Sequence, residues 1–208
     1  MATFDSESAG KPAQAGQPFD YEALRSRLDG LLRKQLFFVG GLAKSGTTWV
    51  QLLLDDHPQV CCSGECHLVD RLFPALKGTL EAHNRFLAGK AASVCAELDS
   101  GLPAFELADL ECLFATAILL LLAKRGAGKP ALAVGEKTPE NVQVFGALTR
   151  LFPKAKCIHV VRDPRDAAVS AWFHVERVMP DETRRHFADI SQYLRYSADR
   201  WVSEVELG

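Results

Sequence analysis

The sequence predicts an α/β fold in three layers, a central parallel sheet flanked by helices. Three observations carry that expectation. Short, wholly apolar runs alternate with segments of helical period, the pattern of strands buried on both faces by crossover helices. Two of those runs, residues 36–40 and 156–161, pass through a tight turn into a helical pattern. Four polar residues from four separate units, Lys44, Glu65, Lys137 and Arg162, each fall just after a predicted strand. Ligands of open parallel sheets gather at those strand ends. With 208 residues, 48% of them hydrophobic, the chain supplies one sizeable core rather than two.

Taken in order, residues 1–20 are rich in Ala, Gly, Ser, Gln and Pro and read as a flexible N-terminal tail. They lack the basic start and apolar stretch of a secretory signal. Residues 21–34 alternate apolar and charged positions at helical spacing, and residues 36–40 form the first strand. A helix over 47–56 is ended by Pro58, and a short strand occupies 60–63. Helices are predicted over 68–76, 80–98 and 107–124, with a break at 126–130. A third strand covers 131–134. Thr138 suits a cap and Pro139 the first turn of a helix whose apolar face is Val142, Phe145, Leu148 and Phe152. After the strand at 156–161, Asp163 can cap the next helix and Pro164 suits its first position. A last helix spans 193–207, and there is no internal repeat.

The turn after the first strand reads Gly41-Leu42-Ala43-Lys44-Ser45-Gly46-Thr47-Thr48-Trp49. Unpaired N–H groups at such a turn, together with the helix dipole, attract phosphate. Residues 44–49 are therefore expected to bind a phosphorylated ligand, which makes the fold P-loop-like. The loop departs from a Walker A motif. Gly41 and Gly46 are correctly spaced, but Thr47 stands where the lysine belongs and the cation has moved to Lys44. A kinase needs that lysine on the β and γ phosphates with a hydroxyl on the metal.

Lys44-Ser45-Gly46-Thr47-Thr48-Trp49 resembles the 5′-phosphosulfate loop of sulfotransferases. Those enzymes move a sulfuryl group from 3′-phosphoadenosine 5′-phosphosulfate (PAPS) to an acceptor. Arg162-Asp163-Pro164-Arg165-Asp166, with Ser170 further along, is similar to the family's 3′-phosphate motif. Ser170 lies about 10 Å up the helix from Arg162, so one phosphate could touch both. The arginine fork grips phosphate oxygens in pairs. The segment from His57 to Glu65 resembles the HP-x-V-x-x-GE region of the tyrosylprotein and bacterial branches, where the matching glutamate is the proposed general base. Gly135-Glu136-Lys137-Thr138-Pro139 resembles an EKTP-x-N segment that brings a second lysine near the sulfuryl oxygens. The resemblance covers roughly residues 36–178. It also implies a further strand and a covering loop downstream, and residues 179–208 resemble neither. The expected organisation is thus a tail over 1–20 and a sulfotransferase core over 21–208 that lacks the family's C-terminal segment.

Under this reading, the sulfuryl group passes to a hydroxyl or amine acceptor by in-line displacement aided by a carboxylate base. Glu65 takes the acceptor's proton, with His67 the alternative base. Lys44 neutralises the bridging oxygen as the bond breaks, and Lys137 balances the moving group. Backbone N–H groups of Ser45, Gly46, Thr47 and Thr48 hold the 5′-phosphate. Arg162 and Ser170 hold the 3′-phosphate. Trp49 contacts the adenine face or serves as helix packing. The donor is PAPS and no metal is required. The alternatives are a P-loop nucleotide kinase and a non-catalytic nucleotide-binding fragment.

Composition narrows the partners. A formal net charge of −2 gives no global attraction to nucleic acid or to an anionic membrane. The apolar run at 115–123 is too short for a bilayer span of about 20 residues. Many Golgi members of the family carry an anchor and none is visible, so a cytoplasmic, bacterial-type enzyme is expected. Its acceptor is a small molecule, a glycan, a lipid or a peptide, and a homodimer stays open. Of six cysteines, Cys61, Cys62 and Cys66 lie near His67 but lack zinc-site spacing. Cys95, Cys112 and Cys157 are expected to act as small hydrophobes.

Overall fold

The computed structural model describes residues 18–94, 102–125 and 129–208. Its centre is a four-stranded parallel sheet in the order β2-β3-β1-β4. The strands are β1 (Gln35–Gly40), β2 (Val60–Ser63), β3 (Ala133–Lys137) and β4 (Lys156–His159). β1 pairs with both β3 and β4, and every residue in it except Gln35 is buried. Its side chains alternate between two cores, as strand geometry dictates. Leu36 and Phe38 face a large cluster with Phe114, Ile118, Leu122, Leu148 and Phe152. Phe37 and Val39 face a smaller one with Cys62, Val50, Leu54 and Ile158. Helices therefore cover both faces, as the apolar strands required.

The helices are α1 (Tyr21–Leu32), α2 (Thr47–Asp56), α3 (Phe73–Val94), α4 (Leu107–Arg125), α5 (Phe145–Leu151), α6 (Pro164–Val178), α7 (Pro180–His186) and α8 (Ile190–Leu207). α2 and α6 each follow a strand end, which places both helix N-termini on the carboxyl side of the sheet. α8 packs back along α6. Trp201 of α8 donates its indole N–H to the Arg162 carbonyl at 2.9 Å, closing that side of the strand end.

Several elements differ from the sequence expectation. The third strand is not 131–134 but Ala133–Lys137, so it carries two charged residues into the sheet. Parallel pairing sets Glu136 beside Phe38 and Lys137 beside Val39, and backbone register outweighs the polar side chains. The segments 68–76 and 80–98 are not separate helices. A π-helical turn at Leu68–Leu72 runs directly into α3, which continues through Gly78. An exposed glycine costs a helix only about 1 kcal/mol, too little to end it. Residues 95–98 of that expectation lie outside the described residues, as do residues 1–17 of the tail and Cys95.

The helix expected after Pro139 begins as a 3-10 turn over Pro139–Val144 before α5. Thr138 does not cap it; its hydroxyl is turned into the core instead. β4 stops at His159, although Val160 N–H still donates to the Gly40 carbonyl at 2.9 Å. The sequence reading missed α7. The last helix starts at Ile190, where Asp189 accepts from Gln192 N–H at 2.9 Å. Cys112 is exposed rather than packed, and Cys157 is half-buried. Among the described residues no helix is long and apolar enough to cross a membrane.

Candidate active site

The loop between β1 and α2 is fixed by two glycines with different reasons for being glycine. Gly41 has φ +148°, and a Cβ there would lie 2.3 Å from the Val160 carbonyl oxygen. Gly46, the residue before α2, has φ +97° and, among the described residues, nothing within 4 Å of where a Cβ would stand. The first is a packing requirement; the second leaves open space at a helix N-terminus. Lys44 itself takes a left-handed φ of 71°, uncommon for a side-chain-bearing residue and typical of a constrained loop. Val50 N–H donates to the Gly46 carbonyl at 3.0 Å, the first bond of α2. The N–H groups of Thr47, Thr48 and Trp49 precede that bond and are the donors a helix start offers to an anion. Ser45 is buried, and its hydroxyl has no partner among the described residues.

Two clusters meet this loop. On one side the Arg162 guanidinium donates to the Lys44 carbonyl at 3.2 Å and stands 3.8 Å from the Asp166 carboxylate. The cations of the two sequence motifs thus belong to neighbouring strand ends, β1 and β4. On the other side the Lys137 ammonium, only 2% exposed, donates to Glu65 Oε1 at 2.5 Å and to Thr48 Oγ1 at 3.1 Å. That lysine links the loop after β2, the end of β3 and the first turn of α2. It is the last residue of β3 and is buried there.

Trp49 is 68% exposed on the first turn of α2, which removes the helix-packing reading. Ser170 is half-buried two turns along α6, and no hydrogen bond joins it to Arg162 among the described residues. The Asp163 side chain accepts from Arg165 N–H at 2.9 Å and caps α6 as expected. The Arg165 guanidinium beside it holds the Asp163 carboxyl down at about 2.

Residues that the sequence reading left without a role hold this arrangement. Glu136 is fully buried. Its carboxylate accepts from Thr138 Oγ1 at 2.8 Å, from the Asn141 amide and from the Cys66 backbone N–H. Burial raises its pKa and the three hydrogen bonds oppose the rise. Asn141 also donates to the Val39 carbonyl at 3.1 Å, one residue before the end of β1. A single carboxylate therefore ties the Glu65 loop to the base of the turn after β1. The signal available in sequence was a charged residue next to an apolar run, which also fits an ordinary strand end.

The cysteines near His67 behave as packing groups. Burial pushes the Cys62 thiol up to about 12 and the Cys66 thiol to about 11. Among the described residues no group of three or more His, Cys, Asp or Glu is arranged to hold a metal.

A family profile described as the sulfotransferase family matches residues 37–206. A protein-tyrosine sulfotransferase of Drosophila melanogaster is 29% identical over 172 residues, which is 83% of this chain and 30% of that protein. Protein-tyrosine sulfotransferase 1 of Homo sapiens is 31% identical over 131 residues, 62% of this chain and 32% of that protein. The chain thus spans about a third of the length of the curated relatives it matches. A crystal structure of a sulfotransferase from Mycobacterium avium aligns with a TM-score of 0.44 and 17% identity, covering 88% of this chain and 56% of that one. With the profile spanning all four strand ends, β1 to β4, the chain belongs to the sulfotransferase family.

Proposed function

We propose that this chain binds PAPS across the ends of β1 and β4 and transfers its sulfuryl group to a tyrosine hydroxyl of a peptide acceptor. One observation carries the reading: Lys137 is bonded at once to Thr48 of the anion loop and to Glu65. A cation buried between a phosphate-binding turn and a carboxylate suits the negative charge that develops as a sulfuryl group moves from donor to acceptor. The family membership supports the donor, and the names of the relatives support the acceptor.

The residues present fit that donor. The partnerless Ser45 hydroxyl, the open space beside Gly46 and the N–H groups opening α2 suit a 5′-phosphate. Arg162, on the neighbouring strand end, suits a second phosphate, with Ser170 further along α6. When bound, PAPS supplies the sulfuryl group and a phosphate leaving group. Lys44 and Lys137 then stand beside the charge that develops, and Glu65 removes the acceptor's proton. The kinase alternative is not favoured, because Thr47 occupies the position of the catalytic lysine.

The test is thermal shift. 3′-Phosphoadenosine 5′-phosphate at a hundredfold excess over its Kd is expected to raise Tm by about 5–10 °C, while ATP with Mg²⁺ leaves it unchanged. Stabilisation by ATP that is indifferent to the 3′-phosphate rejects the reading.

A further inference from the structure

The Glu65 carboxylate has two different neighbours. Oε1 is held by Lys137 at 2.5 Å, while Oε2 lies 3.8 Å from Nε2 of His67. The opposite nitrogen of that ring, Nδ1, is 3.0 Å from Asp70 Oδ2. An ionised carboxylate can only accept, so Asp70 fixes the proton of neutral His67 on Nδ1. The Nε2 lone pair then faces Glu65.

The backbone holds this order. His67 adopts φ 47°, a left-handed conformation for a residue with a side chain, immediately before the π-helical turn Leu68–Leu72. Such strain and such turns concentrate at functional sites. Both Arg71 N–H and Leu72 N–H donate to the His67 carbonyl, and Glu136 holds Cys66 N–H next door. The imidazole is thus positioned from both sides, yet its side chain is 47% exposed and water reaches it. The charged groups around it are Glu65 from its own loop, Asp70 and Arg71 from the π turn, and Lys137 and Glu136 from β3. Arg71 Nε is 3.7 Å from the Asp70 carboxylate.

We infer that Asp70, His67 and Glu65 form a proton exit from the sulfuryl-transfer site, with His67 the relay and Asp70 its positioning residue. The inference rests on the sulfuryl-transfer reading and adds the fate of the proton. As the acceptor oxygen bonds to sulfur, the bond from sulfur to the 5′-phosphate oxygen breaks and its electron pair leaves on the phosphate. The acceptor's proton passes to Glu65 Oε2, because Oε1 is occupied by Lys137. It passes next to His67 Nε2, giving an imidazolium that Asp70 stabilises, and then to water. Glu65 is restored as a carboxylate for the next turnover.

The experiment uses the whole chain, PAPS and a tyrosine-containing peptide. His67→Ala is expected to lower kcat about 10- to 100-fold. Affinity for 3′-phosphoadenosine 5′-phosphate, measured by calorimetry, stays unchanged, which also reports that the variant is folded. Added imidazole is expected to restore part of the lost rate, which a merely structural role does not allow. Asp70→Asn keeps the ring in place and removes the charge. Nitrogen-15 chemical shifts of the ring, which need no turnover, are expected to report a proton on Nδ1 in the parent chain and a mixture of tautomers in Asp70→Asn. Unchanged kcat in His67→Ala overturns the relay alone, as does a loss that imidazole leaves untouched. A ring whose tautomer ignores Asp70→Asn overturns the positioning role. If the parent chain yields no sulfated peptide from PAPS, the sulfuryl-transfer reading fails and the relay falls with it.

Discussion

The Lys137 ammonium lies 2.5 Å from Glu65 Oε1, yet the two side chains live in different solvents, 2% and 41% exposed. The pair is therefore asymmetric. Removing the carboxylate strands a buried cation, whereas removing the cation leaves a carboxylate that water can solvate.

The first prediction follows from that asymmetry. Glu65→Ala is expected to cost about 3 kcal/mol of stability in urea unfolding. Lys137→Met, which keeps the volume and removes the charge, is expected to cost about 1 kcal/mol or less. Equal losses would mean the pair is solvated alike at both ends. Both variants lose turnover, Lys137→Met by about 10²- to 10³-fold in kcat, as for removal of one group that stabilises developing charge.

Glycine substitutions separate folding from binding. Gly41→Ala pushes a methyl onto the Val160 carbonyl across the β1–β4 junction and is expected to abolish soluble, folded protein. Gly46→Ala meets no atom of the described residues, so it costs about 1–2 kcal/mol of backbone strain. The same methyl enters the space beside the α2 N-terminus, and nucleotide affinity measured by calorimetry is expected to fall at least tenfold.

Arg162 is expected to read the 3′-phosphate. The parent chain should bind 3′-phosphoadenosine 5′-phosphate more tightly than adenosine 5′-phosphate. Arg162→Ala is expected to remove about 2 kcal/mol from that preference, roughly a thirtyfold loss, and little from adenosine 5′-phosphate itself. A preference that survives the substitution would place the second phosphate elsewhere.

Cysteine labelling tests the core. Cys112 is exposed, whereas burial raises the thiols of Cys61, Cys62 and Cys66, the middle one to about 12. Among the described cysteines, a thiolate reagent at pH 8 is expected to modify Cys112 first, with Cys62 protected until unfolding. Mass spectrometry of tryptic peptides reads the order.

Glu136 sets a pH dependence of known sign. Burial raises its pKa above the ordinary 4.5, so near that value the folded chain holds a proton that the unfolded chain has lost. Stability contributed by this group is present below the unfolded pKa and declines as pH rises from it towards the folded one. Glu136→Gln is expected to flatten that decline in unfolding curves taken across the acidic range. An unchanged slope would show that the three hydrogen bonds fully offset burial.

That the glycine turn after β1, the Arg162-Asp163-Pro164 run and the segment leading to Glu65 lie at strand ends was legible because each is a short local pattern. Glycine spacing, an arginine after an apolar run and a capping Asp-Pro are all set by neighbours in sequence. The alternation of apolar runs and helical periods likewise gave the layered parallel sheet. Element bounds were less legible where register decides. β3 reaches Lys137 because it lies beside β1, and no local rule favours Glu-Lys inside a strand.

By itself, the sequence determined which groups carry charge at the strand ends and that they would share one side of one sheet. Only the tertiary structure decided how those groups are paired: Lys137 between Thr48 and Glu65, Arg162 on the Lys44 carbonyl, and Glu136 beneath the Glu65 loop. The physical reason is range. Backbone propensity and turn chemistry act over a few residues, whereas burial and hydrogen bonding join residues 72, 89 and 118 positions apart only once the sheet has set its register.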